Sequence, residues 1–134
     1  MTVSNATYDP PVTGSSELGG LRVLIIEDSW QVGAALKRLL RLWGAEVAGP
    51  VATTADATRL MSERTFEAAL VDIHLRNGER AYGLIDQLHD QGIHVVVITG
   101  YADVSLEQGK VVKVLQKPIM ADLLLQTLRT VPRR

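Results

Sequence analysis

Short apolar runs alternate along the chain with stretches whose apolar positions recur every three or four residues. The run LRVLIIED (residues 21–28) is apolar and β-branched until it ends on two acids, and it predicts a strand. Val32, Leu36, Leu39, Leu40 and Trp43 then share one helical face, with Ser29 as N-cap and Gly44 as the stop. AEVAGPVAT (45–53) predicts a second strand, which Pro50 either weakens or places at a sheet edge. Ala57, Leu60 and Met61 mark a helix that Thr53 or Thr54 caps. FEAALVDI (66–73) is a third strand, and Ala81, Leu84, Ile85 and Leu88 a helix that Gly92 ends. IHVVVIT (93–99) and KVVKVLQK (110–117) predict the last two strands, and Met120, Leu124, Leu128 and Val131 line the final helix.

Alternating strands and helices of these lengths predict one parallel sheet covered on both faces. Between the fourth and fifth strands only GYADVSLEQGK remains, room for one short helix at most. Residues 1–20, rich in Ser, Thr, Pro and Gly and without a period, predict a flexible arm ahead of one domain over residues 21–134. A length of 134 residues suits a single core. The formal net charge of −1 gives no bulk attraction for nucleic acid or anionic membrane. Without cysteine there is no disulfide, thiolate metal site or cysteine nucleophile. No apolar run reaches membrane-spanning length and no signal peptide is visible, so the expectation is a cytoplasmic domain.

Ligands of open parallel sheets bind beyond the carboxyl ends of the strands. There the chain delivers Glu27 and Asp28 from strand one, Asp72 from strand three, Thr99 from strand four, and Lys117 with Pro118 from strand five. Singly, each reads as a cap, a turn residue or a solvated lysine. Together, three crowded acids repel unless a cation joins them, and oxygen-only ligands select a hard ion such as Mg²⁺. Asp72 could then attack a phosphoryl group and form an acyl phosphate. Mg²⁺ on Asp28 and Asp72, the Lys117 ammonium and the Thr99 hydroxyl would each meet a phosphoryl oxygen, with Gly100 leaving room beside Thr99.

These residues resemble a bacterial response-regulator receiver domain, in IIED, LVDIHL, ITG and LQKP, over about Leu21 to Val131. The resemblance implies a (βα)5 flavodoxin-like fold, strand order 2-1-3-4-5, with the fourth helix short or missing. It implies Asp72 as phosphoacceptor with Thr99 and Lys117. It also implies Mg²⁺ held by Asp28, Asp72 and the backbone carbonyl of His74, with Glu27 acting mainly through water. A cis Lys117–Pro118 peptide would aim the lysine inward. The implied partner is a sensor histidine kinase or a histidine phosphotransfer protein, and the output is protein contact rather than an enzymatic product.

The usual aromatic three residues before the lysine is Val114. This, the TGY tripeptide and the VLQKP strand make the chain similar to variant receivers with a Phe-Ala-Thr-Gly motif, often single-domain partners of sensor kinases that include photoreceptor kinases. His74 and Tyr101 occupy the positions that govern water access to the phosphate. Tyr101 is also a candidate for the role of the missing aromatic. Trp30, Pro118, Ile119 and Met120 are candidates for kinase docking, and Trp30 reads either as an exposed contact or as a lid on the core edge. Three consecutive leucines, Leu123 to Leu125, exceed one stripe and suggest contact with a second copy or a kinase. Two other classes compete with the signalling reading. An aspartyl-phosphate hydrolase of the haloacid-dehalogenase type would want an Asp where His74 stands, and a phosphorylation-independent pseudo-receiver would not need all five residues.

Overall fold

In a computed structural model, residues 16–100 and 109–133 are described. Five strands form one sheet: β1 (Arg22–Ile26), β2 (Glu46–Val51), β3 (Ala68–Asp72), β4 (His94–Thr99) and β5 (Lys113–Gln116). They are all parallel, in the order β2-β1-β3-β4-β5. Four helices stand among the described residues: α1 (Trp30–Leu42), α2 (Thr54–Glu63), α3 (Tyr82–Asp90) and α4 (Ala121–Arg129). The expected order is therefore observed, while most of the stretch expected to carry a short fourth helix, 101–108, lies outside the described residues.

Strand alternation divides the core in two. Leu24 and Ile26 of β1, Ala69 and Val71 of β3, and Val95 and Val97 of β4 face α2 and α3. Val23, Ile25, Leu70, Val96, Ile98 and Leu115 face α1 and α4. Local signals act as the residue types require. The Ser29 hydroxyl accepts from Val32 N at the start of α1, and Thr53, not Thr54, caps α2 by accepting from Asp56 N. Gly49 adopts φ +96°, and a Cβ there would lie 2.4 Å from the Ile25 carbonyl oxygen, so the kink before Pro50 requires glycine. The β1–β2 register is irregular at that point, between Leu24 and Ile26.

Several expectations change on packing. Leu18, placed by composition in the arm, is fully buried against the α1/α4 face, and its N–H donates to the Trp43 carbonyl at 2.8 Å. Arg133 donates to the Glu17 carbonyl at 2.8 Å, and Arg129 pairs with the Glu17 carboxylate, so the two ends of the folded body clasp each other. Residues 16–20 thus belong to the fold, because one leucine finds a core site next to the carboxyl end of α1. Leu124 is buried, and Leu123 and Leu125 are half-buried on the same core, so the three leucines leave no separate apolar stripe. Strand β5 is shorter than its apolar run, and Val112 and Val114 are exposed.

Candidate functional site

The sheet's winding creates the site. From β1 the chain moves outward to β2, then crosses back to β3, so connections leave β1 and β3 in opposite directions and open a crevice at their carboxyl ends. Ile26 is paired with Val71, which sets the residues that follow, Glu27 and Asp72, side by side. Asp72 is paired with Ile98, and Thr99 follows it. Thr99 is paired with Gln116, and the Lys117 N–H donates to the Thr99 carbonyl at 2.7 Å. Four strand ends therefore deliver all five expected residues to one edge.

Glu27 and Asp72 are buried, Thr99 is fully buried, and Asp28 and Lys117 are half-buried. Lys117 Nζ lies 2.9 Å from Glu27 Oε1 and 3.1 Å from Asp72 Oδ2. The Lys117–Pro118 peptide is cis, as the resemblance implies. The remaining oxygens are held by backbone: Ser29 N donates to Glu27 Oε2 and His74 N to Asp72 Oδ1, each at 3.0 Å. Carboxylate oxygens of Glu27, Asp28 and Asp72 lie within 4.8 Å of one another. Burial pushes the Glu27 carboxyl up to about 7, and the neighbouring Asp72 adds to the shift, against the opposing pull of Lys117 and of the Ser29 amide. For Lys117, desolvation lowers the pKa, but Glu27 and Asp72 outweigh it and hold the ammonium above its ordinary value.

This donor set fits a divalent cation. It is all oxygen, it carries more negative charge than one lysine neutralises, and Glu27 Oε1 is buried with no aligned hydrogen-bond donor among the described residues despite the nearby ammonium. The loop after Asp72 is closed by bonds from Leu75 N to the Glu79 carbonyl and from Ala81 N to the Ile73 carbonyl. Glu79, which the residue pattern does not single out, ties this loop to α2 by accepting from Thr54 N at 3.0 Å. Its signal is faint, since one acid in NGERAYG looks like loop solvation.

Among the described residues, a Cβ built on Gly100 meets nothing within 4 Å, so none of them demands glycine there. Tyr101 lies outside the described residues. The docking candidates separate. Pro118 and Ile119 join Val32, Ala35, Leu36 and Leu39 of α1 in an apolar groove, and Met120 is exposed beside it in sequence. Trp30 is 72% exposed, which removes the lid alternative, and it lines a different groove of α1 with Pro50.

A family model for the response regulator receiver domain matches residues 23–129. A comparison with curated proteins gives no match. Among solved structures, the chain is similar to a CheY-like receiver domain from Methylobacillus flagellatus, with 26% identity and a TM-score of 0.70 over 81% of this chain and 98% of that one. SdrG from Sphingomonas melonis Fr1 gives 29% identity and a TM-score of 0.71 over 82% and 95%. A response regulator protein from Burkholderia pseudomallei, solved with a phosphorylated aspartic acid, a calcium ion and citrate, gives 28% identity and 0.73 over 82% and 67%. Receiver domains in general take a divalent metal at an acidic pocket and meet histidine kinases or phosphotransfer proteins. No described helix is long and apolar enough to cross a membrane. With the family model covering most of the chain and the winding and acidic crevice as described, the chain belongs to the response-regulator receiver-domain family of two-component signalling.

Proposed function

We propose that this receiver accepts a phosphoryl group on Asp72 from the phosphohistidine of a sensor kinase or phosphotransfer protein and passes the signal on by protein contact. The observation that carries it is the buried Asp72 carboxylate held between the Lys117 ammonium at 3.1 Å and the acids Glu27 and Asp28. Asp28, Asp72 and the His74 carbonyl would hold Mg²⁺, with Glu27 behind a water. A bound Mg²⁺ supplies a Lewis acid that neutralises charge on the transferring phosphoryl oxygens. An Asp72 oxygen forms the new O–P bond as the P–N bond to the donor histidine breaks. That electron pair stays on the imidazole nitrogen, which takes a proton from solvent. Lys117 balances charge on the phosphoryl group, the Thr99 hydroxyl donates to it, and Gly100 leaves it space. His74 and Tyr101 limit water access and so set the lifetime, and Tyr101 stands in for the aromatic absent at Val114. Pro118, Ile119 and Met120 receive the donor, and the chain is of the Phe-Ala-Thr-Gly-like kind.

The test is intact-mass measurement after incubation with Mg²⁺ and a small acyl-phosphate donor. One phosphoryl group should add to the wild-type chain and none to Asp72→Asn. Donor turnover without an adduct would favour the hydrolase reading, and no reaction at all would favour a pseudo-receiver.

A further inference from the structure

Among the described residues, two grooves run along the length of helix α1, and the function proposed above uses only one. Val32, Ala35, Leu36 and Leu39 line the first, of about 510 Å³, with Pro118 and Ile119. Trp30, Ala34 and Leu42 line the second, of about 400 Å³, against Pro50 of β2. At 3.6 residues per turn, the two sets are centred roughly 150° apart around the helix. They are opposite flanks of one element.

We infer that the second groove receives an acidic amphipathic helix of a partner protein. Trp30 and Leu42 are 72% and 61% exposed, and twelve residues of helix set them about 18 Å apart, so two apolar anchors stand at the ends of one groove. Between and beside them lie Lys37, Arg38 and Arg41, none of which has an ion-pair partner among the described residues. The helix carries no acidic residue at all. This positive patch is local, since the chain as a whole has a net charge of −1, and it complements an acidic partner. Arg41 alone would suit the carboxyl end of a helix, but Lys37 and Arg38 lie outside that explanation. Strand addition is disfavoured beside this groove, because Pro50 lacks an N–H and the β1–β2 register breaks there. A helix laid along α1 needs no backbone ladder and matches the length between the anchors. A lipid surface is the poorer occupant, because a concave slot receives side chains and not a flat interface. A partner on this flank leaves the Pro118 groove open, so both can be held together.

The probe is a designed helix-forming peptide of about four turns with Leu at helical spacing on one face and Glu elsewhere, titrated into the isotope-labelled full chain. Chemical-shift changes should centre on the Trp30 indole, Ala34, Lys37 and Arg38. The double variant Lys37→Glu/Arg41→Glu should bind about tenfold more weakly, while still accepting a phosphoryl group on Asp72. Trp30→Ala should also weaken binding, and its side chain is too exposed for the change to unfold the protein. The inference is overturned by no binding, by equal binding of the same peptide with Lys in place of Glu, by shifts centred on Leu39 and Ile119, or by a stronger Trp30 response to phosphatidylglycerol vesicles than to the peptide. Failure of Asp72 to form an adduct in the wild type would refute the phosphoryl reading and leave this groove untouched.

Discussion

Lys117→Met removes the cation that joins the site's two buried carboxylates and nearly preserves side-chain volume. Breaking one partner out of a buried ion pair costs about 3–5 kcal/mol. Lys117 is 26% exposed, and water screens part of that, so about 2–3 kcal/mol is expected where both acids are ionised. The cost depends on pH. Glu27 has a folded pKa of about 7 against an ordinary 4.5, so its contribution favours folding at low pH and is lost as pH rises through 7. For the wild type without metal that loss amounts to about 3 kcal/mol at 1.36 kcal/mol per unit. At pH 6 Glu27 already holds its proton, and the variant forfeits only the pairing with Asp72, a smaller loss than at high pH. At pH 8 the wild type has Glu27 ionised beside the ammonium, and the variant must bury it uncompensated or keep it protonated. The measurement is urea unfolding of both proteins at pH 6 and pH 8, with and without millimolar Mg²⁺. The difference should grow with pH and shrink when Mg²⁺ supplies the missing charge. A difference independent of both pH and Mg²⁺ would refute this electrostatic account.

Three further outcomes follow from the same geometry. Mg²⁺ should bind with release of a proton below pH 7 and weaken as pH falls through about 7, because Glu27 must ionise to support the cation; calorimetry in buffers of different ionisation enthalpy reads this, and a proton-free signal at pH 6 would count against it. Gly33→Ala should destabilise by about 1–2 kcal/mol despite the better helix former, since the new Cβ would lie 2.5 Å from Pro50 Cβ, and chemical denaturation giving a more stable variant would contradict the α1–β2 contact. Leu18→Ala should cost about 2–4 kcal/mol in the same assay, and a change near zero would return residues 16–20 to the arm.

Much of the site is legible in the sequence because it is assembled at strand ends. An apolar run that stops on Glu27, Asp72 or Thr99 marks both a buried strand and its functional edge, and period-two alternation fixes which side chains face each helix layer. Glu79 is not legible in this way, because its value lies in reaching Thr54, 25 residues away in sequence. Nor is Leu18, because composition averages over a segment, whereas burial depends on where one side chain lands.

The order of residue types alone thus specified a wound parallel sheet, its two covered faces and the five polar residues at one edge. Local chemistry governs those features: propensity, alternation and capping act over a few residues. Packing settled what lies beyond that range. It raised the Glu27 pKa by burial, placed Trp30 on the flank of α1 away from Pro118, and locked Glu17 and Leu18 onto the carboxyl end of the fold. Each of these depends on distances between segments far apart in the chain, and those distances exist only once the sheet has closed the core between them.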